Sequence, residues 1–222
     1  MKGILLTIFT LLTNTGFGQM WITYKVDSSF TILLPENYTE SDTLGQHVIT
    51  AKIENGLILM TKIHMDGPNR VSVQDEKDLV KLYKEFRTGF VKSQNGKLIK
   101  EEMVNAGRLK FWQYSFSATL AEEKQLRHCL ALFVNNTMHV VTFWELESMT
   151  HQMVPQREKL FSSIVIPVNL GFEDQMTEPE LSVSYRVGYF VGQSLFVILL
   201  LGGIVALIFG ISKQMKRRRK SA

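Results

Sequence analysis

A single cysteine, Cys129, stands among the 222 residues, so no intramolecular disulfide can staple the chain. A domain of about 150 residues without such a staple depends on a hydrophobic core of ordinary size. Cys129 opens the apolar run Cys129-Leu-Ala-Leu-Phe-Val134, where a buried, inert thiol is expected in preference to an intermolecular disulfide. Acidic residues are missing from both ends. All 21 lie between Gln19 and Arg186, against 18 Lys and Arg there, which gives that stretch a net charge of −3. The overall charge of +4 is produced by Lys2 and a basic tail, so no basic stripe remains on the folded part and nucleic-acid binding is excluded as a reading. Phosphate-loop, Cys-x-x-Cys and His-Glu-x-x-His patterns are all absent, as are internal repeats and low-complexity tracts. No cofactor and no metal site is expected.

What is present begins at the ends. Val187 to Ile211 contains 25 residues and no charge. At about 1.5 Å per residue, some 20 apolar residues cross a bilayer core of roughly 30 Å, so residues 187–211 are expected to be a transmembrane helix. Lys213, Lys216, Arg217, Arg218, Arg219 and Lys220 follow, a flank that marks the cytoplasmic side and offers contacts to anionic lipid. At the other end, Lys2, the apolar run Ile4 to Leu12 and the small residues of Gly16-Phe17-Gly18 read as a signal peptide over residues 1–18. The expected organisation is a signal peptide (1–18), an extracytoplasmic domain (19–167), a linker (168–186), the membrane helix (187–211) and a cytoplasmic tail (212–222). Gly202, Ala206 and Gly210 recur every four residues, a spacing that lets two membrane helices approach and that would support a homodimer.

Between these ends the punctuation predicts an antiparallel sheet and two helices. Trp21 to Val26 and Phe30 to Leu34 are β-prone, and Asn55-Gly56 joins two β-rich arms as a type I′ hairpin would. Ser72-Val-Gln-Asp75 resembles a capping box before Leu79, Leu82, Tyr83, Phe86 and Phe90 at helical spacing. Strands are expected over 97–104, 109–120, 125–134 and 137–146, the last two turning at Asn135-Asn136 and apolar at nearly every position, which asks for cover on both faces of the sheet. A second helix is expected over 149–163, with Pro155 as an interior breaker.

The phrases "SSFTILLPENY" and "VPQREKLFSSIVIP", in this order of elements, resemble the opening strand and closing helix of the Mog1/PsbP-like superfamily over about Trp21 to Pro167. The resemblance implies an α+β fold, an antiparallel sheet sandwiched by helices, and a binding or assembly role with no shared catalytic set.

Few residues suggest chemistry. A two-residue turn at Asn55-Gly56 pairs positions whose numbers sum to 111 and sets His47 across from His64, two imidazoles without a third ligand. His128 and Cys129 are strand neighbours and point to opposite faces, as do Glu101-Glu102 and Glu122-Glu123. The expected function is therefore a membrane-anchored, periplasm-facing binding module of a bacterial inner membrane. It is expected to touch the lipid bilayer and to bind another envelope protein or a small apolar ligand. The rival class is an envelope hydrolase whose site has no recognisable motif; clustered, perturbed titratable groups in a polar cleft would favour it.

Overall fold

The computed structural model describes residues 19–43, 45–65, 71–120, 122–177 and Val191. Strands β1 (Trp21–Val26) and β2 (Phe30–Pro35) form an antiparallel ribbon in which Trp21 faces Pro35 and Val26 faces Phe30. Seven further strands follow: β3 (Thr39–Thr43), β4 (Gln46–Ile53), β5 (Gly56–His64), β6 (Lys97–Ala106), β7 (Leu109–Leu120), β8 (Glu123–Val134) and β9 (Thr137–Leu146). They form one antiparallel sheet in the order β3-β4-β5-β9-β8-β7-β6. Helix α1 (Glu76–Ser93) connects β5 to β6, and α2 (Thr150–Ser162) follows β9 through the short 3-10 turn Glu147–Met149.

Each face of the sheet is covered, as the apolar character of β8 and β9 requires. Leu79, Leu82, Tyr83, Phe86 and Phe90 of α1 pack on Trp112, Tyr114, Phe116, Ala131 and Phe133. On the opposite face, Phe30, Ile32 and Leu34 of the ribbon join Met153 and Leu160 of α2 over Ile49, Ile58, Met60, Val141 and Phe143. The α+β sandwich expected from the sequence is thus present, with a two-stranded ribbon sharing the α2 layer. The β8–β9 turn falls at Asn135 and Asn136, both in the left-handed region at φ 50° and 55°, as a type I′ turn demands.

Three local expectations are corrected. The first turn of α1 is capped by Asp75, whose side chain accepts from Asp78 N at 2.9 Å, while Asp78 Oδ2 accepts from Gln74 N at 3.0 Å. The reciprocal pair is therefore an aspartate pair, and Ser72 lies outside it. The β4–β5 turn is made by Glu54 and Asn55, with the left-handed φ of 61° on Asn55, and Gly56 is the first residue of β5 facing Ile53. The pairs consequently sum to 109, and His47 faces Lys62 in place of His64. Pro155 lies inside α2, beyond its first turn, where the helix forgoes one backbone hydrogen bond.

Gly56 has a packing role instead of a turn role. A Cβ there would sit 2.8 Å from the carbonyl oxygen of Trp144 on β9. Gly56→Ala is expected to cost about 1–3 kcal/mol by overpacking. An unchanged urea midpoint would contradict this close approach of β5 to β9.

Residues 168–177, read from the sequence as the start of a linker, fold back onto the domain. Leu170 and Gln175 are buried, Asn135 N donates to Asp174 O at 2.8 Å, and Thr177 Oγ1 accepts from Val73 N and donates to Val71 O. The packed unit among the described residues thus reaches Thr177. Of residues 187–211 only Val191 is described; it is helical and buried in the α1-side core. No helix among the described residues is long and apolar enough to cross a membrane. Residues 1–18, read from the sequence as a signal peptide, Gly202, Ala206 and Gly210, and the basic residues from Lys213 to Lys220 lie outside the described residues.

Candidate functional site

Where the ribbon passes over the β3–β4–β5 end of the sheet, it leaves a cavity of about 610 Å³. Strand alternation determines its lining. Met60, Lys62 and His64 share one face of β5, His47 and Ile49 come from the same face of β4, and Tyr24, Val26 and Asp27 hang from the ribbon. Glu40 and Asp42 of β3, with Gly45 and Gln46, complete the wall.

The polar groups here are mutually engaged. Asp42 faces His47 across the β3–β4 pair, and His47 Nδ1 lies 2.9 Å from Asp42 Oδ1 while its Nε2 lies 3.2 Å from Glu40 Oε2. Lys62 forms an ion pair with Asp27, and its hydrogen bond holds the Asp27 carboxyl below the usual carboxylate range. Burial, reinforced by Glu40, pushes the Tyr24 phenol up to about 12, so it remains an O–H donor at neutral pH. Behind Lys62, on β9, His139 is 1% exposed, edge-on to Phe30 at 5.5 Å, with neither ring nitrogen hydrogen-bonded. Burial lowers its pKa to about 4 and keeps it neutral.

A second polar cluster crosses β7, β8 and β9 on the α2 side. Ser115 Oγ lies 3.0 Å from His128 Nδ1, and His128 Nε2 lies 3.1 Å from Glu145 Oε1. Arg157 of α2 donates to both oxygens of the fully buried Glu145, at 2.6 and 2.8 Å. The hydroxyl–imidazole–carboxylate order is that of a nucleophile and its base. Two features work against catalysis. Arg157 spends the carboxylate's charge on an ion pair. Ser115 also sits mid-strand, paired with both Lys100 and His128, where the ladders occupy backbone amides that an oxyanion would need.

On the α1 side, Arg127 is 3% exposed, donates to Gln94 Oε1 and Gln125 Oε1, and lies 3.9 Å from the Trp144 ring centroid. Burial lowers its pKa to about 10, which leaves it charged at neutral pH. Cys129 is buried against Thr142, and burial pushes its thiol up to about 12, in keeping with an inert role.

The residues singled out in the sequence are distributed as follows. His47 and His64 line one cavity, although Lys62 stands in the position opposite His47. His128 and Cys129 belong to opposite faces, as strand geometry dictates. Glu101 accepts from Arg87 and Trp112, whereas Glu102 pairs with Lys100. Among the described residues no group of three or more His, Cys, Asp or Glu could hold a metal ion. Sequence reasoning missed Tyr24, Lys62, Glu40 and Asp42; the last two carry one local signal, the polar run Thr39 to Thr43 after a strand, while Tyr24 and Lys62 are polar positions inside runs that read only as strands.

No protein-family model and no curated protein matches the chain. Among solved structures, the cyanobacterial PsbP protein CyanoP of Synechocystis is similar at 14% identity and a TM-score of 0.49, over 71% of this chain and 99% of its own. The yeast Saccharomyces cerevisiae Ran-binding protein Mog1p is similar at 10% identity and a TM-score of 0.43, over 72% and 100%. LpqN, a Mycobacterium tuberculosis protein involved in cell envelope biogenesis, is similar at 9% identity and a TM-score of 0.42, over 67% and 91%. At such scores and identities no site, partner or activity passes from these proteins to this one. What the described residues define is an α+β sandwich with a cavity of mixed polar and apolar lining at one end of its sheet.

Proposed function

We propose that this chain is a non-catalytic binding module of the Mog1/PsbP-like kind, held on the outer side of a bacterial cytoplasmic membrane, with a small polar ligand as occupant of the cavity between ribbon and sheet edge. The cavity carries the reading. It has the volume of a small-molecule site, and a few polar groups converge on it from four strands. The lining is mixed: Val26, Ile49 and Met60 offer apolar surface beside Asp27, Glu40, Asp42 and Lys62, and those charged groups support a ligand that carries polar groups, where the sequence suggested a small apolar one. The membrane attachment rests on residues 1–18 and 187–211 and on the basic tail, with an envelope protein, the lipid bilayer and a second copy of the membrane helix as further contacts.

Two experiments test this. In thermal unfolding of the detergent-solubilised full chain, a panel of amines, sugars and carboxylates is expected to contain stabilising compounds whose effect disappears in His47→Trp, which narrows the cavity. A stabilising compound indifferent to His47→Trp would place binding elsewhere. For topology, alkaline phosphatase fused after Thr177 is expected to be active in cells, and an inactive fusion paired with an active cytoplasmic reporter at that position would reverse the orientation.

The Ser115–His128–Glu145 chain supports a second reading, an esterase-type hydrolase. That reading expects turnover of activated esters by the full chain and its loss in Ser115→Ala. The binding-module reading expects the same background rate from both.

A further inference from the structure

On the opposite face of the sheet from the ribbon cavity, and at the other end of its strands, lies a second cavity of about 270 Å³. It is a groove across the strand ends from β7 over β8 and β9 to β5, three inter-strand spacings or about 14 Å long. The register places its side chains on one face. Leu57 faces Trp144, Gln125 faces Leu146, and Leu120 stands one pleat beyond Ala118, the β7 partner of Gln125. This is the α1 face, since Trp144 and Ala118 belong to the core beneath that helix. Four apolar side chains thus surround one amide. Glu145, also at the wall, keeps its carboxylate on the other face, bound to Arg157.

Gln125 is 8% exposed, and its Oε1 accepts from Trp144 Nε1 and from Arg127 Nη2. With the oxygen so engaged, the amide nitrogen turns the other way. It has no partner among the described residues and, unlike the sealed ring nitrogens of His139, keeps accessible surface where Gln125 lines the groove. An independent imbalance lies behind it. Arg127 is buried and charged, yet no carboxylate among the described residues pairs with it: its partners are the oxygens of Gln94 and Gln125 and the rings of Trp144 and Phe116, and its Nε has none. A buried cation without a counter-ion is unfavourable, and an anion brought close to it is stabilised. We propose that the groove binds a small amphipathic monocarboxylate, its carboxylate accepting from Gln125 Nε2 and its apolar body lying across Trp144 towards Leu57. A hydrogen bond from an amide to a carboxylate is charge-assisted, and the Arg127 guanidinium behind the amide reinforces it. The volume accommodates about nine non-hydrogen atoms, at roughly 30 Å³ each. An alcohol of the same length brings no charge to answer Arg127, and an amine repeats its sign. This groove is separate from the ribbon cavity, and its ligand is independent of what that cavity holds.

The test uses the full chain in phosphatidylcholine nanodiscs with ¹⁵N-labelled indoles, which report separately on Trp21, Trp112 and Trp144. Hexanoate is expected to shift the Trp144 signal saturably and to leave Trp21 and Trp112 unmoved, with 1-hexanol and hexylamine at least tenfold weaker. Gln125→Glu keeps an oxygen for Arg127 and Trp144 and replaces the donor nitrogen with an acceptor. It is expected to weaken hexanoate at least tenfold, while unchanged Trp21 and Trp112 signals report an intact fold. Leu146→Tyr, directly across from Gln125, covers the amide without altering it and is expected to weaken hexanoate likewise. If 1-hexanol or hexylamine binds as tightly as hexanoate, the carboxylate class is overturned. Hexanoate binding indifferent to both substitutions overturns the site. An absent or unsaturable Trp144 response, or one shared by all three indoles as partition into the bilayer produces, overturns the proposal as a whole.

Discussion

Gln175→Ala is expected to destabilise the domain by about 4 kcal/mol, although the residue lies in a segment that reads as a linker. The β7–β8 pairing ends at Trp112 and Ala131, and beyond that point the two strands part. Gln175 is 0% exposed and fills the gap: Nε2 donates to Lys110 O at 2.9 Å and to Phe133 O at 2.8 Å, and Oε1 accepts from Lys110 N at 2.9 Å. Tyr83 closes the rest, accepting from Phe133 N at 2.9 Å and donating to Lys110 O at 2.8 Å. Each backbone group left unpaired by the alanine costs about 1–3 kcal/mol, of which Tyr83 retains a share at Lys110 O. A loss of about 4 kcal/mol corresponds to a fall of roughly 10 °C in Tm for a domain of this size. Gln175→Glu should do no better, because a carboxylate cannot donate to the two carbonyls. Val168→Ala, at a position 96% exposed, is expected to change stability by less than about 0.5 kcal/mol. If Gln175→Ala unfolds with the wild type, residues 168–177 act as a tether after all.

The second large effect is loss of stability on mild acidification, traced to His139. Its pKa is about 4 in the folded chain and about 6.5 when unfolded, so between those values the unfolded state binds the extra proton. Above pH 6.5 both states are neutral at this residue and it adds no pH dependence. As pH falls from 6.5 towards 4, stability declines by up to about 1.4 kcal/mol per unit, about 3 kcal/mol in all, and below 4 this contribution levels off. Asp27 acts in a lower window, because its depressed pKa supplies stability that is lost only as pH falls below the ordinary carboxylate range. His139→Leu removes the imidazole and both unpartnered nitrogens. The variant is expected to match or exceed wild-type stability at pH 7 and to lose the decline between pH 6.5 and 4. Parallel denaturant-midpoint curves for the two proteins across that range would rule out His139 as the cause.

The parts of the fold legible in the sequence are those whose signal is local and apolar. The stripe from Leu79 to Phe90 specifies α1, and the unbroken apolar character of β8 and β9 announces a sheet covered on both faces. Strand β3 escapes notice because Thr-Glu-Ser-Asp-Thr has no apolar alternation; it is held by backbone pairing to β4 at an exposed edge. Asn55-Gly56 misleads by two in register because the glycine answers to the Trp144 carbonyl across the sheet, a demand set by β9 some 90 residues later. The cavity depends on where the ribbon crosses the sheet, and no local pattern encodes that crossing. Likewise, Ser115, His128 and Glu145 meet only because three strands lie side by side. Gln175 looks like any polar residue between helices until the gap at Lys110 and Phe133 is known.

The central claim, that the cavity is the functional site, is tested most directly by the histidines themselves. The chain has five, and their surroundings differ: His47 and His64 in the cavity, His128 in the Ser115–Glu145 cluster, His139 buried behind Lys62, and His151 exposed on α2. The measurement is the ¹³C-histidine spectrum of the full chain, titrated with each compound that raises Tm in the thermal panel. The account predicts saturable shifts at His47 and His64 with His128 and His151 unmoved. Shifts confined to His128 would contradict it and move the site to the Ser115–His128–Glu145 cluster.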